Sequence, residues 1–357
     1  TLVLPYSTML YAHVPAAALA LGSYVLAQRG RLLLAGLLGG LAALVEYPVA
    51  LIVAVVGVGA ALAGGDPRAE KLRRGARFAA GAALGLLPLA AYNLWAFGSV
   101  LHMSYDDVVG FEGQEEGLFG IGVPDPEAMW DLLLAPKGLL VLTPVVAAAV
   151  WGLWRARSRT PLAVVAVAFL YDAAYYLPFG GDVPGPRFLV PMLAFAAIGL
   201  AVALRERPAL TLGLAAASAV GMVAATITEP QLVGDDTGRW VDLLREGDLQ
   251  FTLLGAAGAG HGWVGILPFL ALVAAAVVLT LRAAPRLAAD ARVVALGALG
   301  AWAVVALVLG DAPALVAAGA LAGVAAVVWS GRSAACSARA RSPAPSTASS
   351  TTATPRS

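Results

Sequence analysis

The chain has 357 residues, 60% of them hydrophobic and only 13% charged, with a mean hydropathy of +0.82. Soluble domains carry roughly one-quarter charged residues, so this composition excludes an ordinary water-soluble globular protein. The formal net charge of +1 hides a segregation of sign along the chain that nearly every Lys and Arg follows.

Apolar runs near 5–27, 78–98, 138–154, 162–178, 188–204, 209–228, 263–281, 293–310 and 313–330 are each close to the roughly 20 residues that cross about 30 Å of hydrocarbon. Thr1 to Val25 has neither a basic leader nor a small-residue cleavage site, so the first run is not a signal peptide. We expect a chain whose N-terminal part lies upstream of Thr1. The stretch from Leu32 to Leu62 is too long for one span and has basic flanks, so it must turn round, at Glu46-Tyr47-Pro48.

Basic residues gather at Arg29/Arg31, Arg68 to Arg77, Arg155/Arg157/Arg159, Arg205/Arg207, Arg282/Arg286/Arg292 and in the tail from Arg332. Lys137, Arg187, Arg239 and Arg245 fall in the alternate, acidic gaps. Short basic loops stay on the cytoplasmic side. With the early hairpin, the alternation predicts an all-α polytopic helical bundle of about eleven membrane segments, spanning 1–330, with a cytoplasmic C-terminus. Residues 331–357, rich in Ser, Ala, Thr and Pro, read as a disordered cytoplasmic tail.

Gly36 with Gly40 and Gly81 with Gly85 have the small-residue spacing that lets helix backbones approach closely in lipid. In a chain this rich in Gly and Ala, chance also produces such pairs. Trp95, Trp151, Trp154, Trp263 and Trp329 fall near span ends, as interfacial anchors do. Cys336 is the single cysteine, so the chain holds no internal disulfide framework. The sequence has no phosphate-cradling glycine loop, no metal-ligand cluster and no basic aromatic stripe for nucleic acid.

Two outer loops, 99–136 and 229–262, are longer than connection requires. The first carries Asp106-Asp107, a carboxylate pair suited to general-base work or a divalent metal; the alternative is a solvated outer loop kept acidic by topology. Lys137 and Arg187 stand at loop-to-span junctions beside Pro and Gly, where a cation can grip a lipid-linked phosphate or snorkel to headgroups. Glu46 and Asp172 are ionisable groups inside spans, and such groups default to functional hypotheses. Tyr92, Asn93 and Asp182 are further substrate-side candidates, suited to sugar or headgroup contact.

The segment Gly36 to Pro48, with Tyr92-Asn93, Gly117-Leu118-Phe119-Gly120, Pro136-Lys137-Gly138-Leu139 and Gly185-Pro186-Arg187-Phe188-Leu189-Val190-Pro191, resembles the bacterial polytopic glycosyltransferases of the GT-C superfamily, akin to protein mannosyltransferase-like and aminoarabinose transferase-like enzymes. The resemblance covers roughly residues 5–205, and Glu46 stands where many members carry Lys. It implies transfer of a sugar from a polyprenyl-phosphate donor to an acceptor on the extracytoplasmic face, with membrane lipids as surroundings and no nucleic-acid partner. It also implies a catalytic carboxylate in a first outer loop upstream of this sequence, leaving the donor phosphate to Arg187 first and Lys137 second. A transporter or flippase, with Glu46 and Asp172 as coupling groups, is the rival expectation.

Overall fold

The computed structural model describes residues 1–65, 67–102, 113, 119–283 and 289–339. It begins with a short α1 (Val3–Tyr6), followed by α2 (His13–Gln28), α3 (Leu32–Val45), α4 (Val49–Leu62) and the long α5 (Arg68–Phe97). After the first outer loop come α6 (Pro126–Leu134), α7 (Leu139–Leu142), α8 (Val145–Arg155) and α9 (Arg159–Ala173). A single 3₁₀ turn (Arg187–Leu189) leads into α10 (Val190–Glu206) and α11 (Pro208–Ile227). The second outer loop contains α12 (Arg239–Glu246) and α13 (Leu253–Ala256), and the chain closes with α14 (Gly262–Ala283), α15 (Ala289–Leu309) and α16 (Pro313–Arg339).

Among the described residues the fold is helical, with one isolated bridge between Ile121 and Tyr175. Five helices are long and apolar enough to cross a membrane: α5, α10 with its lead-in, α11, α14 and α15. The pair α6–α7 and α8, bent by 92°, makes a sixth as a broken span. Several helices are therefore those of a membrane protein. The expected count of about eleven goes beyond these six, for a reason of length. The helices α3 and α4 have 14 residues each, about 21 Å of rise, against about 30 Å of hydrocarbon. The Glu46 break between them stands where a continuous span would still be in the apolar layer.

The first outer loop is not irregular throughout, since α6 occupies its end, capped by Asp125 accepting from the Glu127 amide at 3.0 Å. Helix α16 continues to Arg339, past the tail boundary expected at 331.

The two small-residue motifs meet. A methyl group added at Gly40 would fall on the Ala82 carbonyl oxygen and lie 2.9 Å from the Gly85 Cα, and one at Gly36 would fall on the Phe78 carbonyl oxygen. From the other side, Gly81 faces the Leu33 carbonyl and Gly85 the Leu37 carbonyl. Helices α3 and α5 thus touch backbone to backbone, gaining dispersion contact where lipid offers no hydrophobic driving force. Gly152 on α8 and Gly199 on α10 repeat the arrangement. Helix α11 is the most enclosed span, with 61% of its apolar window buried, whereas α14 has 11% and turns nearly its whole surface outward. Trp95, Trp154, Trp263 and Trp329 are all exposed, as lipid-facing or interfacial indoles are.

Helix ends sort as the charges do. Arg155, ending α8, pairs with Glu206, ending α10, at 3.0 Å, and Gly59 near the end of α4 meets Thr160 at the start of α9. The opposite ends of α3 and α9 and the starts of α2 and α10 converge at the other end of the bundle, which is where Glu46, Asp172, His13 and Arg187 lie.

Candidate functional site

The site begins with two turns that cannot continue as helix. Helix α3 stops at Glu46, which adopts an extended conformation two residues before Pro48 at the N-cap of α4. Helix α9 ends just past Asp172, and the chain returns through Gly180 and Gly181, both with positive φ (81° and 99°). A β-carbon at Gly180 would occupy the place of the Arg187 Nε, so this glycine lets the guanidinium lie across the backbone. The buried run Val183-Pro184-Gly185-Pro186 then fixes where Arg187 leaves the loop.

Four ionisable side chains come together there. Asp172 is fully buried (0% exposed), and neither of its carboxylate oxygens has a hydrogen-bond partner among the described residues. Glu46 is 9% exposed and lies 2.9 Å through Oε1 from His13 Nδ1, close enough for an ion pair though not aligned as a hydrogen bond. Arg187 and Glu46 are both within electrostatic reach of Asp172. Arg187 is half-buried, its Cζ 5.9 Å from the Tyr11 ring and 4.8 Å from the Phe188 ring, and its Nε is buried and unpartnered among the described residues.

Aromatic rings wall this centre. His13 stacks on Tyr11 at 5.5 Å and meets Tyr6 and Phe188 edge-on at 5.5 and 5.9 Å. Tyr6 is buried and donates its hydroxyl to the Gly185 carbonyl at 2.8 Å, tying the chain start to the turn before Arg187. Tyr175 packs edge-on against Phe188 at 5.3 Å. Glu46, Tyr171 and Phe188 line a cleft with room for about one water molecule.

Both outer loops brace the site. Gln231 donates to the Tyr11 hydroxyl at 3.0 Å, and Lys137, 3% exposed, pairs with Asp235 at 3.1 Å and faces the Phe179 ring at 5.8 Å. The same loop is folded on itself by Trp240, fully buried, whose indole donates to the Glu229 carbonyl at 2.9 Å. Glu229 also accepts from the exposed Arg239 at 2.7 Å, a hydrogen bond that raises the guanidinium further above its ordinary range. On the other side, Gly122 and Asp125 donate backbone bonds to Ala174 and Ala173, pinning the end of the first outer loop to α9.

The sequence-predicted candidates therefore divide. Arg187, Glu46 and Asp172 share one centre. Lys137 stands at its edge, buried and matched by Asp235 rather than open at the membrane surface. Asp182 is exposed in the α9–α10 loop. Tyr92 and Asn93 form a separate group at the end of α5: Asn93 is buried and donates to the His102 carbonyl at 2.7 Å, and Tyr92 lies against Trp95 and Phe97. Asp106 and Asp107 lie outside the described residues. Sequence reasoning missed His13, Tyr6 and Tyr11. The available signal was a histidine near the start of an apolar run, a polar group that needs a partner in lipid. Among the described residues no three His, Cys, Asp or Glu side chains converge as a metal site requires.

Comparison with protein families, with curated proteins and with solved structures finds no match to this chain.

Proposed function

We propose that this chain is a membrane-embedded glycosyltransferase-like protein of the bacterial cytoplasmic membrane, which binds a polyprenyl-phosphate-linked sugar at the extracytoplasmic end of its bundle. Counting the short helices α2, α3, α4, α9 and α16 with the six candidate spans gives eleven segments, and the charge alternation then puts the C-terminus in the cytoplasm. The observation that carries the reading is Arg187: a half-buried guanidinium with an unpartnered Nε, held at a loop-to-span junction on the acidic side of the bundle. A planar guanidinium there suits a phosphate oxygen pair, and a departing lipid phosphate is where charge develops in such a transfer.

A hexose does not fit the present cleft beside Glu46. Entry requires the second outer loop to move, breaking the Gln231–Tyr11 and Asp235–Lys137 contacts. That motion would free Lys137 as the second cation for the phosphate. Asp182, exposed in the loop before Arg187, would then serve the acceptor side.

One observation favours the rival reading of a transporter. Asp172 is an intramembrane carboxylate buried without a hydrogen-bond partner among the described residues, which is how coupling groups of transporters are often placed. Proteoliposomes separate the two. With a radiolabelled polyprenyl-phosphate sugar and a hydroxyl acceptor, the transferase reading expects label moved covalently to the acceptor or, at the least, saturable retention of the donor by the protein. Protein-dependent movement of the intact lipid or of a solute across the bilayer, without either, would sink it in favour of transport.

A further inference from the structure

The second outer loop changes character at Asp248. Between Glu229 and Asp248 it carries eight charged side chains, whereas from Leu249 to Leu281 there is no Lys, Arg, Asp or Glu. The span α14 begins only at Gly262, so the uncharged run starts thirteen residues ahead of it.

Those residues are folded yet turned outward. Thr252 caps α13, its Oγ1 accepting from the Gly255 amide at 3.3 Å and donating to the Gly265 carbonyl at 3.2 Å, which ties α13 to the first turn of α14. The Phe251 ring stacks on that of His261 at 6.2 Å. Despite this order, Leu253 is 90% exposed and Phe251 70%, and Ala256, Ala257 and Ala259 are exposed with them. Trp263, Val264 and Leu267 carry the same apolar surface onto α14. Surfaces of this kind mark a site of interaction.

What covers it follows from the helix it runs into. Every residue of α14 from Ala274 to Thr280 is exposed, about two turns, so all sides of the helix are open there. A protein partner covers one stripe of a helix. A helix apolar all round and exposed all round is surrounded by lipid, and the surface at 251–264 is continuous with it.

We propose that residues 251–264 lie in the interfacial layer of the bilayer rather than in water, with Phe251, Leu253 and Trp263 among the headgroups and upper acyl chains. The backbone limits the depth. Irregular main chain leaves N–H and C=O groups that hydrocarbon cannot satisfy, so the segment stays at the interface, where indole is also favoured. The second outer loop therefore has two halves. The charged half braces the buried centre through Gln231 and Asp235, and the uncharged half holds the loop to the membrane. This placement holds whatever ligand Arg187 takes.

Site-directed fluorescence in lipid vesicles tests it. In the full chain with Cys336→Ser, the dye NBD is attached to a single cysteine introduced by Leu253→Cys, by Ala257→Cys or, as the water-facing reference, by Glu246→Cys on the exposed side of α12. Residue 246 belongs to the same loop, so all three report from one side of the membrane. Leu253 and Ala257 are exposed, and replacing them leaves the fold intact. Each protein in phosphatidylcholine vesicles is quenched by iodide from the water, or by lipids bearing a nitroxide near the headgroup or near the end of the acyl chain. We expect the dye at 253 and 257 to be several-fold less sensitive to iodide than at 246, and to be quenched most by the nitroxide near the headgroup. Iodide quenching equal to that at 246, with no effect of either lipid, would put the segment in water and overturn the proposal. Protection from iodide without quenching by either nitroxide would overturn it in favour of a second copy of the chain on this surface. Stronger quenching by the deep nitroxide would contradict the interfacial placement.

Discussion

Replacing Arg187 by alanine is expected to lower the stability of the protein in detergent by about 3 kcal/mol, and adding Asp172→Asn to restore most of it. Arg187 acts electrostatically on the fully buried Asp172 without touching it; stranding a buried charge costs about 3–5 kcal/mol when a contacting partner is lost, and the low end applies here because the two are not in contact and Arg187 is only half-buried. Asp172 has no hydrogen-bond partner among the described residues to soften the loss, and Glu46 adds a like charge nearby. The asparagine removes the stranded charge at nearly constant shape, so the double variant should unfold close to the unaltered protein. A simple packing role for Arg187 gives a different pattern. The losses would then add, and Asp172→Asn would rescue nothing. The unfolding midpoint measured for the two single variants and the pair distinguishes the cases by a double-variant cycle.

Gly40→Leu is expected to cost about as much, through a different mechanism. The new side chain must start from a β-carbon 2.2 Å from the Ala82 carbonyl oxygen, a backbone atom that no rotamer change can move. Overpacking a close-packed interior costs about 1–3 kcal/mol where side chains can give way, and more where they cannot. Helices α3 and α5 must therefore part along their whole contact, which also disturbs the α3 terminus carrying Glu46. Gly300→Leu on α15, where nothing lies within 4 Å of an added methyl group, is the control and should leave stability within about 0.5 kcal/mol. Equal effects at the two positions, read by thermal unfolding, would show that the α3–α5 approach is not a specific contact.

How far the sequence reached depends on the range of the interactions involved. Charge alternation is a property of single loops, so the sorting of helix ends was legible: Arg155 and Glu206 meet at one end, Glu46 and Arg187 at the other. Small-residue spacing is also local, and Gly36, Gly40, Gly81 and Gly85 could be picked out one helix at a time. Their mutual contact could not, because nothing in either helix names its neighbour. The same limit governs the site. Glu46, Asp172 and Arg187 each stood out as a costly charge in an apolar setting, but His13 meets Glu46 only through the packing of α2 on α3. Lys137 read as an open cation because its partner, Asp235, comes from the second outer loop. Asn93 read as a headgroup ligand because an amide near an interface fits that role, whereas here it satisfies the carbonyls of Val100 and His102 as the chain leaves α5. The span count was harder to read than the turn within it. The turn at Glu46-Tyr47-Pro48 was legible from the length of Leu32 to Leu62, but counting each half as a span was not supported, because α3 and α4 have 14 residues each and stop short of the hydrocarbon thickness.

Binding of an outward-facing lipid-linked sugar requires the Glu46–Asp172–Arg187 end of the bundle to face away from the cytoplasm, and cysteine accessibility measures that directly. In a chain whose single native cysteine is removed by Cys336→Ser, exposed single cysteines are introduced by Asp182→Cys beside the site and Arg159→Cys at the start of α9. A membrane-impermeant maleimide is then applied to intact cells and to permeabilised cells. The account expects the cysteine at 182 to be labelled in intact cells and the one at 159 only after permeabilisation. The reverse pattern would turn the bundle over, put the cation cluster on the cytoplasmic face and contradict binding of an outward-facing lipid-linked sugar.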